Sequence, residues 1–393
     1  MFTNRQLFLN HIAQTSPSPM GLEIEKAEGC YLFDSNGKKY IDLISGISVS
    51  NIGHCHPKVI EAVNEQMRKH AHLMVYGEYV QYPQVKLAEK IISLLPNKLN
   101  SIYFTNSGAE ATEGAMKLCK RATGRTEIIS FKNSYHGSTQ GALSIMGSEE
   151  FKTAYRPLLP GNRILNYNST KDIEEITNMT AAVFAEVIQA ESGVIKADEN
   201  WLKQLRKTCD ETGTLLVFDE IQTGFGRTGK MFAFEHYGIT PDILLLGKAL
   251  GGGLPLGAFV SDKNLMNQFT HDPVLGHITT FGGNPVCCAA ALGSISVIEE
   301  DQLVKNVQKN EEIFSFFQSK KIKSTHYIGL FGALEFNDQE TNFKVIDKCL
   351  KNGIVTDWFL FNSSALRIAP PIIISFEELK KYSKMIDEII DSI

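Results

Sequence analysis

The sequence predicts an α/β fold built on one doubly wound, mostly parallel sheet. Between residues 101 and 260, short apolar runs alternate with helical patterns, as in strands that are joined by helices. Two of these runs, 215–218 and 243–246, are apolar throughout, which is typical of strands buried on both faces. The first run leads into Asp219 and the second, through a glycine, into Lys248.

Asp219 and Lys248 are therefore expected at one ligand crevice, because ligands bind beyond the carboxyl ends of parallel strands. A lysine in apolar surroundings loses hydration, which favours its neutral, nucleophilic form. The alternative for this pair is a structural Asp–Lys ion pair.

Length and composition indicate an ordinary globular protein of two or three domain lengths. The chain has 393 residues, of which 43% are hydrophobic and 21% are charged. A formal net charge of −5 gives no general attraction to nucleic acid. No apolar run reaches the roughly 20 residues that a bilayer requires, so no membrane partner is expected. Seven cysteines without a CxxC pair favour reduced thiols and a cytoplasmic location.

The first 60 residues predict three local structures. Residues 1–20, which end in a Ser-Pro-Ser-Pro run, are expected to form an extended lead-in. Residues 31–43 predict a hairpin with its turn at Asn36-Gly37. His54 and His56 have a spacing that metal ligands can adopt, but no second ligand pair follows, so a structural turn is favoured and no metal is expected.

Residues 101–105 predict a strand that runs through a turn of small residues into a helix ending near residue 121. The turn contains Ser107, Gly108 and Ala109. Free backbone N–H groups at such a helix start can bind a phosphate. The alternative is an ordinary helix cap, in which Ser107 and Glu110 form a capping box.

Two further strands, 128–131 and 181–186, are expected to bring side chains to the same rim. Tyr135 follows the first strand and could lie flat on a planar ligand, or pack as a surface aromatic. Glu186 ends the second strand, and Glu191 follows it.

Residues 224–230 match the spacing of a phosphate-binding P-loop up to Lys230. The next residue is Met231, where that loop needs a hydroxyl side chain for its metal ion. No buried strand leads directly into the segment, and no helix-start signal follows it. The P-loop interpretation is therefore not favoured.

From about residue 300, amphipathic helices and short strands predict a second, smaller domain. Arg367 lies there in an apolar stretch, where a guanidinium is costly unless a carboxylate pairs with it. It could bind a substrate carboxylate or serve as a structural arginine. Together with the phosphate turn, Tyr135, Asp219 and Lys248, this arginine suits pyridoxal phosphate (PLP) chemistry, with lysine as the covalent anchor and aspartate on the pyridinium nitrogen.

With these motifs in order, the chain resembles the class III (ω-amino acid) aminotransferases of fold type I, especially their acetylornithine and ornithine aminotransferase branch. The resemblance extends from Gly29 to Pro371. Its most specific segments are 53–57, 106–111, 219–229, 241–248 and 280–285. The resemblance implies a mostly parallel seven-stranded sheet with helices on both faces, plus a smaller α+β domain. It also implies a large PLP-binding domain at 51–299, a small domain at 300–393 and an N-terminal segment at 1–50 that packs with the small domain.

The resemblance implies the roles of the site residues. Lys248 would bind the cofactor covalently and shuttle a proton, and Asp219 would pair with the pyridinium nitrogen. The remaining cofactor contacts would be Ser107, Gly108, Ala109, Tyr135, His136, Ile221 and Gln222, with Thr280 contributed by a second subunit of a homodimer. Arg367 would bind the α-carboxylate of glutamate or 2-oxoglutarate. Glu191 would pair with Arg367 when a substrate lacks that carboxylate, and Ser138 and Thr279 would complete the substrate site.

Several residues depart from the pattern of the family. Ser138 stands where acetylornithine and ornithine enzymes usually have the arginine that binds the distal carboxylate of the donor. Loss of such a contact, worth about 1.5–3 kcal/mol, would weaken this donor by roughly ten- to a hundred-fold. Ile47 and Thr15 replace tyrosines that contact ornithine. The identity of the donor is therefore open.

The expected reaction moves an ω-amino group from acetylornithine, ornithine or a related amine to 2-oxoglutarate, giving a semialdehyde and glutamate. One alternative is an aminotransferase for diamines or other amines without the distal carboxylate. Others are an aminomutase or decarboxylase of the same fold, or a cofactor-binding protein without enzymatic activity.

Overall fold

The computed structural model describes residues 2–393 and contains the predicted central sheet. The order of its seven strands is Ser101–Thr105, Gly257–Ser261, Ile243–Leu246, Leu215–Asp219, Thr180–Ala185, Glu127–Phe131 and Asn162–Leu165. Gly257–Ser261 runs antiparallel to both of its neighbours, and the other pairs are parallel. The predicted mostly parallel sheet is confirmed.

Both faces of the central sheet are covered, because alternate residues of each strand belong to different apolar clusters. Val217 packs in one cluster with the buried side of the helix Gly108–Thr123. Leu216 and Phe218 pack in the other cluster, which includes the helix Glu199–Thr212. This arrangement explains why residues 215–218 are all apolar.

The helices of eight residues or more connect and cover the sheets. They are Asn4–His11, Pro57–Lys69, Tyr82–Ser93, Gly108–Thr123, Glu199–Thr212, Pro285–Glu300, Leu303–Asn310, Gln339–Lys351 and Phe376–Asp391. Within residues 2–393, none of the helices is long and apolar enough to cross a bilayer.

The N-terminal region differs in part from the sequence prediction. Asn4–His11 is helical, so the expectation of an extended lead-in was wrong there. A capping box explains the helix, since the Thr3 side chain accepts from the Gln6 N–H and the Gln6 side chain accepts from the Thr3 N–H. The hairpin is confirmed, with Gly37 at a φ of 78° in its turn.

Two smaller sheets involve the C-terminal part of the chain. One has the strand order Ser324–Ile328, Phe331–Glu335, Asn362–Ile368 and Trp358–Phe359. The other joins Ile24–Glu28, Tyr31–Asp34 and Lys39–Asp42 to Ile354–Val355. The strand Lys39–Asp42 is therefore paired with a strand from the last 40 residues, and that strand precedes the strand with Arg367 in the chain.

The segment that resembles a P-loop is a structural connection. Its Arg227 is buried and donates to the carbonyl oxygens of Leu330 (2.9 Å) and Pro370 (2.5 Å) and to Asn51 Oδ1 (2.6 Å). These bonds tie the segment to three distant parts of the chain. The arrangement gives the arginine a structural role that needs no bound phosphate.

Candidate active site

A cavity of about 440 Å³ lies at the carboxyl ends of the parallel strands. It is lined by Gly108, Ala109, Tyr135, His136, Gly137, Ser138, Thr139, Glu186, Glu191, Asp219, Ile221, Gln222, Thr223 and Lys248. These residues end or follow five different strands of the central sheet. The acid and the amine that the sequence placed after two apolar runs therefore meet in one crevice, as predicted.

Lys248 projects from the end of the strand Ile243–Leu246, one residue beyond a glycine. Its backbone has a φ of 46°, an unfavourable conformation for a residue with a side chain, which is often found at functional sites. Nζ donates to Gln222 Oε1 at 2.6 Å. Burial lowers the pKa of Lys248 to about 8, so a substantial fraction of its amine is neutral near that pH.

Asp219 is held from two sides. The Nδ1 atom of the buried His136 lies 2.7 Å from Asp219 Oδ2, and the backbone N–H of Ile221 donates to Oδ1 at 3.0 Å. Burial works to lower the pKa of His136, but the hydrogen bond and the charge of Asp219 outweigh it and raise that pKa. The carboxylate is thereby fixed in orientation at the base of the cavity. The sequence had identified both residues but not their contact.

The helix Gly108–Thr123 begins at the rim of the cavity. Ser107 caps it, since its Oγ accepts from the Glu110 N–H at 3.2 Å. The Glu110 carboxylate accepts from the Asn106 N–H at 2.9 Å, so the predicted capping box with Ser107 is not formed as expected. A Cβ atom added to Gly108 would lie 2.7 Å from Ile221 Cδ1. The absence of a side chain at Gly108 lets the start of the helix approach Ile221 closely. The positive end of the helix dipole is suited to bind an anion.

Tyr135 and Ser138 lie together at the mouth of the cavity. The Tyr135 hydroxyl is 3.0 Å from Ser138 Oγ, and Ser138 is exposed. The Tyr135 N–H donates to the buried Glu186 carboxylate at 3.0 Å, as does the Ala190 N–H at 3.0 Å. Burial raises the pKa of Glu186 to about 7. Glu186 therefore fixes the backbone of the tyrosine, a role that its position in the sequence did not reveal.

Arg367 is buried and paired with two carboxylates. Its Nη1 and Nη2 atoms donate to Glu191 Oε1 and Oε2 at 3.0 and 2.9 Å, and its Nε donates to Asp357 Oδ1 at 2.8 Å. Burial alone would raise the pKa of Glu191, but the Arg367 charge outweighs it and lowers that pKa to about 2. The sequence predicted the pair with Glu191 and missed Asp357.

Thr279 and Thr280 are not brought to the cavity within a single chain. Thr279 lines a separate groove with Tyr103 and Tyr79, and its Oγ1 accepts from the Gly282 N–H at 3.1 Å. Thr280 is exposed.

The histidine pair near residue 55 has a structural environment. His54 Nε2 lies 2.8 Å from Asp42 Oδ2, and the His56 side chain caps the helix Pro57–Lys69. Across residues 2–393, there is no cluster of three or more potential His, Cys, Asp or Glu ligands.

The residues of the cavity fit pyridoxal phosphate. Gln222 Nε2 and His136 Nε2 are buried polar atoms without a hydrogen-bond partner among the described residues. The cavity also has a carboxylate, a lysine of lowered pKa and a helix start with room for a phosphate. This set of groups matches the polar ends of that cofactor.

The fold and the site define a PLP-dependent transferase of fold type I. The family model for class III aminotransferases matches residues 12–390, and the chain belongs to that family. It is an enzyme that transfers an ω-amino group and depends on PLP.

Related proteins support this assignment along the whole chain. An acetylornithine aminotransferase of Archaeoglobus fulgidus is 38% identical over 374 residues, covering 94% of this chain and 96% of the relative. A [LysW]-aminoadipate semialdehyde/glutamate semialdehyde transaminase of Sulfurisphaera tokodaii is 40% identical over 303 residues, covering 77% of each chain. The ornithine aminotransferase structure from Toxoplasma gondii superposes with a TM-score of 0.91 at 27% identity, covering 100% of this chain and 96% of that one.

Proposed function

We propose that Lys248 and Asp219 are the catalytic residues of the transamination. PLP, when bound, accepts the electron pair of the substrate carbon. Lys248 would hold the cofactor through its Nζ atom and would carry the proton that leaves the substrate carbon. Asp219, oriented by His136, would hold the proton on the ring nitrogen. The observation that carries this assignment is the meeting of a lysine of lowered pKa and a fixed carboxylate in one cavity.

The other lining residues are proposed to hold the cofactor. The N–H groups of Gly108 and Ala109, with the Ser107 hydroxyl, would bind the phosphate. Tyr135 and Ile221, which both line the cavity, would hold the ring. Gln222 accepts from Lys248 through Oε1, and its unpaired Nε2 would donate to the ring hydroxyl.

We propose that the amino acceptor is 2-oxoglutarate and that Arg367 binds its α-carboxylate. Glu191 occupies the same edge of the guanidinium with two hydrogen bonds. It pairs with Arg367 when the amino donor is bound and gives way to the carboxylate of glutamate or 2-oxoglutarate. One site thus accommodates two substrates of unlike charge. An aminomutase or decarboxylase would not need this arrangement.

We propose a homodimer in which Thr280 completes the phosphate site of the partner subunit, with Thr279 beside it. Thr280 is exposed and lies outside its own chain's cavity. Apolar side chains near this segment are also exposed, including Val80 at 94% and Phe281 at 58%. Sedimentation of the purified enzyme is expected to give the mass of two chains. A fully active monomer would contradict the shared site.

A cytoplasmic location is proposed from the cysteines. All seven are free, and six are buried. This usage is typical of a reducing compartment. Cell fractionation with an antibody against the enzyme tests the location, and recovery from an oxidising compartment would contradict it.

The donor is proposed to be an ω-amine of the acetylornithine and ornithine group, with Ser138 setting the preference between carboxylate-bearing and carboxylate-free donors. Ser138 is exposed at the cavity mouth and has no charge. The lining contains three acidic residues, namely two glutamates and one aspartate. Apart from His136, its only basic residue is Lys248. Donors without a distal carboxylate therefore meet less repulsion in this chain.

Ser138→Arg is expected to raise kcat/KM for acetylornithine by roughly ten- to a hundred-fold, since it restores one charge-assisted contact. The measurement is glutamate formation from 2-oxoglutarate with a panel of amines. Ser138→Gln, a neutral side chain of intermediate length, is the control and should give no such gain. If Ser138→Arg brings no gain, another group binds the distal carboxylate. Absence of glutamate with every amine would overturn the aminotransferase proposal for these substrates.

A further inference from the structure

The guanidinium of Arg367 is surrounded on three sides. Glu191 accepts from Nη1 and Nη2, Asp357 accepts from Nε, and the Trp358 carbonyl accepts from Nη2 at 3.0 Å. The Phe359 ring centroid is 4.4 Å from Cζ. Four of the five N–H groups thus have an acceptor. Glu191 contacts only the edge of the guanidinium that Nη1 and Nη2 form. Its departure would therefore leave Arg367 in contact with Asp357 and Trp358.

The two carboxylates differ in how rigidly they are joined to the arginine. The backbone of Asp357 is hydrogen-bonded to that of Arg367, because the Arg367 N–H donates to the Asp357 carbonyl at 2.9 Å. The preceding Thr356 Oγ1 donates to the Arg367 carbonyl at 2.5 Å. The Asp357 side chain therefore keeps its position relative to Arg367.

Glu191 reaches Arg367 from a different element. It lies in the turn between the short strands Ile188–Gln189 and Ile195–Lys196 and lines the cavity with Lys248. Its Oε2 also accepts from the Leu360 N–H at 3.0 Å. A carboxylate that replaced it could accept from the same N–H. Glu191 therefore lies on the substrate side of the guanidinium, whereas Asp357 is outside the cavity lining.

We propose that Asp357 is a positioning residue, which holds the guanidinium of Arg367 in place while the carboxylate of glutamate or 2-oxoglutarate exchanges with Glu191. This inference rests on the proposed acceptor site. The exchange replaces one carboxylate by another, so the charge around Arg367 does not change. The Nε bond to Asp357 persists throughout and keeps Nη1 and Nη2 directed at the incoming group. Without Asp357, only the Trp358 carbonyl and the Phe359 ring would hold the side chain while Glu191 is displaced.

The charge state of Asp357 is compatible with this role. Burial raises its pKa to about 6, against the opposing effect of the Arg367 charge. At pH 8 the carboxylate is therefore ionised, and its bond to Nε is charge-assisted.

The test compares the two half-reactions of the holoenzyme at pH 8 by stopped-flow absorbance of the cofactor. In Asp357→Ala, the apparent Kd for glutamate is expected to rise about tenfold or more, the effect of losing one charge-assisted hydrogen bond. The half-reaction with the best amino donor should stay within about twofold, because Arg367 is then paired with Glu191. Asp357→Asn keeps an oxygen acceptor and should show a smaller rise.

Asp347→Ala is the matched control, since Asp347 pairs with Lys351 on the exposed side of the helix Gln339–Lys351. It should change neither half-reaction. A second readout is calorimetric binding of glutarate, a dicarboxylate without an amino group, to the holoenzyme. Its affinity should fall in the order wild type, Asp357→Asn, Asp357→Ala.

Two outcomes would overturn the inference. One is an unchanged Kd for glutamate in Asp357→Ala, and the other is an equal loss in both half-reactions with a lower Tm in both variants, as expected of a purely structural residue. Failure of the wild-type enzyme to react with glutamate is distinguishable from both. That result would overturn the proposed acceptor and the inference with it.

Discussion

Replacing Lys248 with alanine is expected to lower kcat by roughly 10²–10⁴-fold, the range that a positioned acid–base group contributes. Its amine projects into the cavity with a pKa lowered to about 8, so it can act as a nucleophile and carry a proton at moderate pH. Alanine can do neither. The variant should also release PLP on dialysis faster than the wild type, because the covalent link is lost.

The measurement is kcat for glutamate formation, with retained cofactor followed by absorbance. Lys263→Ala is the control, since Lys263 is an exposed lysine outside the cavity. An unchanged Tm in both variants shows that folding is intact. If Lys248→Ala kept more than about a tenth of the wild-type kcat, the assignment of the lysine would be wrong.

The central sheet could be predicted because its signal is local. The runs 215–218 and 243–246 are apolar at every position, and the structure shows that successive residues pack in different clusters on the two faces. Since parallel strands end at one edge, the residues that follow them had to converge. Lys248 and Asp219 could therefore be assigned to one crevice from the sequence alone.

Contacts that depend on long-range register could not be predicted in this way. Asp357 lies beside Arg367 because it directly precedes the strand Trp358–Phe359, which pairs with the strand Asn362–Ile368. Nothing in the local pattern reveals that alignment. The contact between His136 and Asp219 joins residues 83 positions apart. In both cases the residue types were visible, but the distance between them required the folded chain.

The N-terminal helix was missed for a different reason. Asn4–His11 has no buried residue, so no hydrophobic periodicity marks it. Its main signal is the Thr3 and Gln6 capping pair, which is short and easily outweighed by the Ser-Pro-Ser-Pro run that follows. The formation of such a short, exposed helix depends on capping rather than on burial of apolar side chains.

Asp219→Asn is expected to lower kcat by roughly 10²–10³-fold, a loss typical of removing one preorganised electrostatic contact from an active site. Asparagine has nearly the same shape and can still accept from the Ile221 N–H, but it has no charge to keep a proton on the pyridinium nitrogen. The contact with His136 also loses its charge, so the pKa of that histidine should fall.

The measurement is kcat together with the pKa of His136 from NMR titration, because a purely structural effect would not shift that pKa. Asp242→Asn is the matched control. Asp242 is also a largely buried aspartate, but it pairs with Arg206 (2.8 Å) and Lys98 (2.6 Å) away from the cavity. Its loss should lower Tm and leave kcat within about threefold. If Asp219→Asn kept the wild-type kcat, the pyridinium partner would have to be another residue of the cavity, and Glu186 is the nearest candidate by burial and charge.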